Sequence, residues 1–207
     1  MRVALTGGIA CGKSLVSRYL NELGIETIDA DDIVHELIPA EERRRLAKIV
    51  FNDPKARKAL EQRIHPLVRE RIEAFLSTST SKAEVGVESW SWRKEAGKFH
   101  SPTRYSNSNS SLRLAVIPLL FETHWDAEYD IICCVRSETE TQVRRMMTTR
   151  GYTREEAEAR LAAQMPVAEK AAKSQYVIEN DGSPDELKRE TEKFARWLKS
   201  LMCSQTR

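Results

Sequence analysis

A short stretch near the start of the chain has the residue types and spacing of a phosphate-binding site. It reads Gly7-Gly8-Ile9-Ala10-Cys11-Gly12-Lys13-Ser14 and fits the pattern G-x-x-x-x-G-K-[ST]. The glycines allow backbone N–H groups to converge on phosphate oxygens, and a helix that begins there adds partial positive charge. Lys13 can reach the β and γ phosphates of a nucleoside triphosphate, and the Ser14 hydroxyl can complete the shell of a Mg²⁺ ion. We therefore expect a nucleoside triphosphate to bind here.

The residues on either side of this phosphate loop predict the elements that position it. Residues 3–6 form a short apolar run of the kind found in buried parallel strands. After the loop, apolar residues recur at helical spacing over residues 15–23. Strand, loop and helix therefore follow in the order that a phosphate loop requires.

A group of carboxylates follows the second predicted strand. Residues 25–28 alternate in polarity and run into Asp29-Ala30-Asp31-Asp32. The carboxyl end of a strand beside a phosphate loop is where α/β sheets bind ligands, so these groups can accept a hydroxyl proton or hold metal-bound water. They can also cap the next helix and supply its first-turn acids. Both roles can hold at once, because one aspartate can cap while another does chemistry.

The composition of the 207 residues limits the class of protein. The formal net charge of +2 does not favour a nucleic-acid polymer as partner, and no apolar run approaches the length of a membrane span. A strand begins almost at once, which leaves no room for a signal peptide. Cys11, Cys133, Cys134 and Cys203 lack metal-ligand spacing, and one lies in the phosphate loop. We therefore expect reduced thiols and a cytoplasmic location. The sequence gives no indication of oligomeric state.

The middle of the chain divides into a helical part and a part without periodicity. Residues 41–76 are rich in helix formers, with breaks expected at Asn52-Asp53-Pro54 and at His65-Pro66. Residues 77–111 are rich in serine and lack helical spacing, which is typical of a functional insertion or a mobile loop. Only Trp90, Trp92 and two nearby valines alternate there, as in a strand with one apolar face.

The second half of the chain returns to regular structure. Strands are expected over residues 112–117, 130–135 and 176–178, and helices over residues 138–149, from residue 153, and over residues 184–201. The helix from residue 153 begins with Thr153-Arg154-Glu155-Glu156, which has the form of a capping box. Strands that alternate with helices predict an α/β fold, a mainly parallel sheet with flanking helices in one domain over residues 1–207. Arginines gather around Gly151, and Arg side chains can close over transferring phosphoryl groups and exclude water. We therefore predict a lid over about residues 144–165.

The order of short motifs along the chain resembles the dephospho-CoA kinase family. The motifs are Leu5-Thr6-Gly7-Gly8-Ile9, Ile28-Asp29-Ala30-Asp31, Val50-Phe51, His65-Pro66, Pro118-Leu119-Leu120-Phe121-Glu122, Ala163-Gln164 and Val177-Ile178-Glu179-Asn180-Asp181-Gly182. They run nearly from end to end, apart from residues 77–111. Together they are specific, whereas the phosphate loop alone does not choose among small-molecule kinases.

The resemblance implies transfer of the ATP γ-phosphate to the ribose 3′-hydroxyl of dephospho-CoA, in a P-loop kinase core with a helical acceptor-binding region over residues 33–76. It implies that Asp31 is the base on the 3′-hydroxyl and that Asp29 and His65 lie on the acceptor side, although a single histidine before proline is more often structural. Ser14 would hold Mg²⁺, and ATP and dephospho-CoA would be the small-molecule partners. The implied ATP-binding residues are Gly8, Ile9, Ala10, Cys11, Gly12, Lys13, Ser14, Leu15, the lid arginines Arg144, Arg145 and Arg150, and Asn180 near the adenine.

The sequence departs from the family pattern in three places. Ala10 and Cys11 stand where Gly and Ser are usual, which is tolerable because backbone groups do most of the phosphate binding. The segment of residues 37–43 is shorter than usual, and residues 77–111 are expected beside the acceptor site to compensate. Thr149 stands where a lid arginine is usual, with Arg150 one step later.

Two other functions remain open from the residues alone. One is another small P-loop kinase, acting on a nucleoside monophosphate or a sugar acid. The other is a nucleotide-dependent switch without phosphoryl transfer, which needs no acceptor carboxylate and no arginine-rich lid.

The position of Cys11 in the loop allows two interpretations. Helix N-terminal N–H groups and Lys13 can lower the pKa of the thiol and make it sensitive to oxidation. Alternatively, Cys11 is an inert small apolar side chain.

Overall fold

A five-stranded sheet carries the phosphate loop at the end of its central strand. The computed structural model describes residues 1–43, 45–46, 53–77 and 112–205. The five strands are β1 (Val3–Gly7), β2 (Glu26–Asp29), β3 (Arg113–Val116), β4 (Ile131–Arg136) and β5 (Tyr176–Glu179). Their order is β2-β3-β1-β4-β5, and all four pairings are parallel. The carboxyl ends of all five strands therefore meet at one edge, where β1 lies between β3 and β4.

Residues 40–43 and 45–46 are helical, and seven further α-helices within the described residues have defined bounds and flank this sheet. They are α1 (Lys13–Glu22), α2 (Ala30–Leu37), α3 (Pro54–Ser77), α4 (Thr139–Arg150), α5 (Arg154–Ala162), α6 (Val167–Ala172) and α7 (Pro184–Gln205). The predicted α/β class and parallel sheet are confirmed. The predicted insertion over residues 77–111, with Trp90 and Trp92, lies outside the described residues apart from Ser77.

The alternation of strand side chains divides the core between the two faces of the sheet. Val3 and Leu5 of β1 belong to the cluster that α1 and α7 cover, where Leu20 and Phe194 are fully buried. Ala4 faces the opposite cluster, to which α2 and α3 contribute. The sheet is thus covered on both faces, as an all-parallel sheet requires.

A third, small apolar cluster joins the helices of the predicted lid to the phosphate loop. Val143 and Met146 of α4 pack against Ala157 of α5, and Ile9 and Ala10 lie against the same group. The N-terminus of α5 carries the predicted capping box, since Thr153 and Glu156 bond to each other's backbone N–H groups. Among the described residues, no helix is both long enough and apolar enough to cross a membrane.

The expected break at His65-Pro66 is wrong. Helix α3 runs without interruption from Pro54 to Ser77 with Pro66 inside it. One face of α3 is buried through Val68 and Ile72, which pack in the cluster with Ala30 and Ile33. This packing holds the helix together across a residue that lacks an N–H group.

We predict that Pro66→Ala stabilises the protein. The exchange restores a backbone donor and removes a ring from a helix interior, so the free energy of unfolding should rise by about 1–3 kcal/mol. Urea unfolding measures the change. Pro54→Ala is the matched control, because Pro54 begins α3, a position where proline is well tolerated. An unchanged free energy of unfolding in Pro66→Ala would mean that the ring carries no strain in α3.

Candidate active site

Hydrogen bonds from side chains hold the carbonyl oxygens of the phosphate loop. Five consecutive carbonyls accept them from four side chains. Lys13 Nζ donates to Gly7 O at 2.9 Å and Gly8 O at 2.8 Å, Gln142 Nε2 to Ile9 O at 2.7 Å, Arg145 Nη1 to Ala10 O at 3.3 Å, and Asn180 Nδ2 to Cys11 O at 2.8 Å. In a trans peptide the C=O and the next N–H point in opposite directions. The carbonyls of Ile9 and Cys11, held by Gln142 and Asn180, therefore turn the N–H groups of Ala10 and Gly12 the other way, as an anion site requires. Cys11 N instead donates to Gly8 O at 3.3 Å inside the loop.

Two backbone conformations shape the loop. Gly12 precedes α1 with φ 92°, in the left-handed region, and a Cβ there would collide with the Asn180 amide. Ala10 also has a left-handed φ of 58°. A left-handed L-residue costs about 1–2 kcal/mol. The departure from glycine at position 10 therefore keeps the loop geometry at a cost in stability.

Arg145 and Asn180, both predicted ATP-binding residues, lie under the loop. The Arg145 guanidinium also donates to Ser137 Oγ at 3.0 Å and to Asn180 O at 2.8 Å. Asn180 is only 6% exposed. Both side chains therefore support the loop from the protein side. The other two predicted lid arginines, Arg144 and Arg150, are exposed on α4.

The aspartates after β2 divide into a capping residue and an exposed residue. Asp29 is the N-cap of α2, and its Oδ1 accepts from Asp31 N at 2.9 Å. Burial raises the pKa of Asp29 to about 6, and the charges of Asp31 and Asp32 add to the effect. The Asp31 side chain is exposed, and among the described residues its carboxylate has no hydrogen-bond partner.

Lys13 lies between the loop and these carboxylates. Burial lowers the pKa of Lys13, and the Lys170 charge lowers it further, while Asp31 and Asp29 favour the charged form. Ser14, the next residue, is exposed in the first turn of α1. The loop lysine, the α1 hydroxyl and the α2 carboxylates thus meet at the carboxyl edge of the sheet.

The expectation that the pKa of Cys11 is lowered is wrong. The side chain is 0% exposed, and burial raises the pKa of the thiol more than Lys13 and the nearby N–H groups lower it. The alternative interpretation, a small buried apolar side chain, fits this environment.

His65 does not join the phosphate loop. It lies on α3, and its ring meets Trp125 edge to face with 5.5 Å between ring centroids. The Arg69 guanidinium lies over the Trp125 ring, 5.0 Å from the ring centroid. The acceptor-side role of His65 stays a prediction.

Sequence reasoning missed four polar residues of the site, of which Ser137, Gln142 and Lys170 are buried and Glu122 is partly buried. Gln142 Nε2 donates to Ile9 O, and Ser137 Oγ accepts from Arg145. Lys170 and Glu122 form an ion pair with 2.7 Å between Nζ and Oε1. Glu122 belongs to a quoted motif, but no role followed from it. Gln142 shares the buried face of α4 with Val143 and Met146, and a polar residue on such a face is the one available signal.

A cavity of about 220 Å³ opens between the loop and the lid helices. Gly8 and Ile9 form one side of it, and Gln142 of α4 and Leu161 of α5 form another. Residues 164–168 close the remaining side. The cavity gives a ligand access to the loop from the side of the predicted lid.

We predict that alkylation of the folded protein spares Cys11. The thiol is buried with a raised pKa, whereas Cys203 is exposed. Peptide mapping after iodoacetamide treatment at neutral pH should show Cys203 modified first. Unfolding in urea should remove the difference. Fast labelling of Cys11 in the native protein would contradict this placement.

We predict a pH-dependent stability gain in Asp29→Asn. The pKa of Asp29 rises from 3.8 to about 6 on folding, so the folded state binds more protons between these values. Stability of the wild type therefore falls as pH rises through this window, and the full penalty remains above it. Asn keeps the capping oxygen without the charge. Urea unfolding should show the variant to be more stable at pH 7.5, with a smaller difference at pH 4.5.

The control for this comparison is Asp32→Asn, in which an exposed first-turn acid of α2 is neutralised. Its effect should stay below about 1 kcal/mol at both pH values. A difference between wild type and Asp29→Asn that is the same at both pH values would contradict the burial of the Asp29 charge.

Comparison with known proteins gives consistent relatives along the whole chain. The sequence model of a family described as dephospho-CoA kinase matches residues 1–43, 40–89 and 99–186. A dephospho-CoA kinase from Geobacter sulfurreducens is 37% identical, with 95% of this chain and 97% of the relative covered. Another from Brucella melitensis is 30% identical, with 99% and 98% covered.

Solved structures share the fold of this chain. TT1252 from Thermus thermophilus superimposes with a TM-score of 0.67 at 30% identity, with 99% of this chain and 97% of that chain covered. Shikimate kinase from Bacteroides thetaiotaomicron has a TM-score of 0.55 at 12% identity, over 96% of this chain and 98% of that chain, and so shares the fold. The family match selects among the functions left open by the sequence, and the chain belongs to the dephospho-CoA kinase family of ATP-dependent phosphotransferases.

Proposed function

We propose that Asp31 activates the 3′-hydroxyl of dephospho-CoA while Lys13 and the phosphate loop hold the phosphates of ATP. The observation that carries this proposal is the exposed, unpaired Asp31 carboxylate beside Lys13, next to an Asp29 carboxylate already used as a helix cap. Asp31 takes the proton of the hydroxyl as its oxygen bonds to the γ-phosphorus. The bond from that phosphorus to the β,γ-bridging oxygen breaks, and ADP leaves.

Lys13 is prepared to exchange partners when ATP binds. Its Nζ lies against Gly7 O and Gly8 O, two loop carbonyls at the phosphate site. Phosphate oxygens are stronger acceptors because they carry charge. Their charge also opposes the burial that lowers the pKa of Lys13. We therefore expect ATP binding to raise the pKa of Lys13.

The residues present also fit a Mg²⁺ ion bound together with ATP. Such an ion keeps several waters and needs only one or two protein ligands besides the phosphates. The exposed Ser14 hydroxyl supplies one ligand, and Asp29 can hold a bound water. Within the described residues, no group of three or more His, Cys, Asp or Glu side chains could hold a metal ion by itself. Mg²⁺ bound there supplies neutralisation of the phosphate charge.

The lid completes the proposed site. Arg144 and Arg150 are exposed on α4, and we propose that they approach the transferring phosphoryl group when the lid closes. Arg145 would contribute through the loop that it holds. The adenine contact of Asn180, the acceptor contact of His65 and the cytoplasmic location stay predictions from the sequence.

We predict that Asp31→Asn lowers single-turnover transfer to dephospho-CoA by about 10²–10⁴-fold, because the shape is kept and the proton acceptor is lost. ATP affinity should hardly change. Asp29→Asn, run beside it, should retain more activity since Asn keeps the cap on Asp31 N. Rapid quench with radiolabelled ATP gives the rates. A larger loss in Asp29→Asn would reverse the assignment. Little loss in either variant would leave positioning and charge neutralisation as the whole mechanism.

A further inference from the structure

Lys170 is a fully buried lysine close to the phosphate loop. The residue is 0% exposed, although it lies on α6, a helix of only six residues. Its Nζ donates to Pro118 O at 2.8 Å and lies 2.7 Å from Glu122 Oε1. A buried ammonium group requires such partners, because an unpaired charge in the interior is strongly destabilising. Lys170 thus fixes the Glu122 carboxylate beside the carboxyl edge of the sheet.

Glu122 in turn holds the returning end of the predicted lid. Its Oε1 also accepts from Met165 N at 3.0 Å. Met165 lies between α5 and α6, where the chain leaves the lid and comes back to the sheet. The other oxygen, Oε2, is buried and has no hydrogen-bond partner among the described residues. The hydrogen bonding of this carboxylate is therefore concentrated on the atom that Lys170 and Met165 share.

This arrangement reaches the phosphate loop from two directions. Pro118 O, which accepts from Lys170, also accepts from Thr6 Oγ1 at 3.4 Å, and Thr6 immediately precedes the loop. Met165 lines the cavity of about 220 Å³ opposite Gly8. A shift of Met165 therefore moves a wall of the space that faces the phosphate loop.

We propose that Glu122 is a positioning residue for phosphoryl transfer. Its Oε1, fixed by Lys170, anchors the returning end of the lid through the Met165 N–H group, so that the lid closes on the phosphate loop in one register. The inference rests on the lid role given under Proposed function. A charge-assisted hydrogen bond suits this anchoring role because it is about twice as strong as a neutral one. A misplacement of about 1 Å at a catalytic site can cost about 10²-fold in rate.

The test compares two double variants that differ only at the anchor. Lys170→Met/Glu122→Gln removes both charges and keeps a side-chain oxygen for Met165 N. Lys170→Met/Glu122→Met removes both charges and that oxygen as well. Neither variant leaves a buried charge unpaired, which makes folding of both feasible. Urea unfolding establishes the folded fraction of each variant under assay conditions.

We predict that kcat of Lys170→Met/Glu122→Met is at least about tenfold below that of Lys170→Met/Glu122→Gln. The KM for ATP of the two variants should agree within about threefold. A purely structural role would change the folded fraction and leave kcat per folded molecule equal. Equal kcat values in the two variants would therefore overturn the inference. So would a fall in kcat/KM that comes entirely from KM for ATP.

Two further variants separate this inference from the proposed lid and from general ion-pair effects. Arg144→Ala/Arg150→Ala should lower single-turnover transfer if the lid arginines act. Unchanged transfer there would overturn the lid role, and with it the lid-closing part of the inference, whatever the Glu122 variants do. If transfer falls in Arg144→Ala/Arg150→Ala while the two Lys170/Glu122 double variants have equal kcat, the lid role stands and only the anchoring role of Glu122 is overturned. The Glu26–Arg113 ion pair, at 2.8 Å at the other end of the sheet, gives the matched control, and Glu26→Gln should leave kcat unchanged.

Discussion

The phosphate loop can bind an anion because its carbonyl oxygens are already bound to the protein. A buried carbonyl without a partner costs about 1–3 kcal/mol, so the five successive carbonyls of the loop need five hydrogen bonds. Lys13 supplies two of them locally. The other three come from Gln142, Arg145 and Asn180, which lie 133 to 169 residues further along the chain. The shape of the loop is thus a property of the closed sheet and not of the octapeptide alone.

The sheet order explains how donors so distant in sequence reach the loop. Strand β4 pairs directly with β1, and α4 follows β4, so Gln142 and Arg145 lie beside the loop. Strand β5 pairs with β4, and Asn180 comes at its end. Each donor is therefore placed by an element that ends at the carboxyl edge of the sheet. The same edge receives Asp29 and Asp31 from β2 and α2.

The electrostatics of the site without ligand favour the binding of an anion together with a cation. Burial lowers the pKa of Lys13 and raises that of Asp29 to about 6, so both groups are pushed toward their neutral forms. Phosphate charge near Lys13 and a cation near the aspartates would each reverse the local shift. ATP with the proposed metal ion would supply both, which links these pKa shifts to the proposed ligands.

Local patterns predicted what local forces determine. The phosphate loop, the capping box at Thr153 and the alternation of strands and helices all follow from short-range sequence rules, and all are present. The expected break at Pro66 failed because packing of α3 on α2 outweighs a local preference. The expected pKa of Cys11 failed because burial, which depends on the whole fold, outweighs the local helix and lysine. The burial of Lys170 could not be predicted, because lysines are almost always exposed unless they are paired, and its partners are distant in sequence.

The hydrogen bonds at the two ends of the lid limit where it can move. Helix α4 is tied to the loop through Gln142 and Arg145, and the returning chain is tied to Glu122 at Met165. Val143 and Met146 pack against Ala157, so an apolar contact limits how far α5 can separate from α4. Gly151, between the two helices of the proposed lid, has a left-handed φ of 69° and open surroundings, which suit a hinge. Bending at Gly151 would move Arg150, the residue just before it, while Arg145 stays beneath the loop.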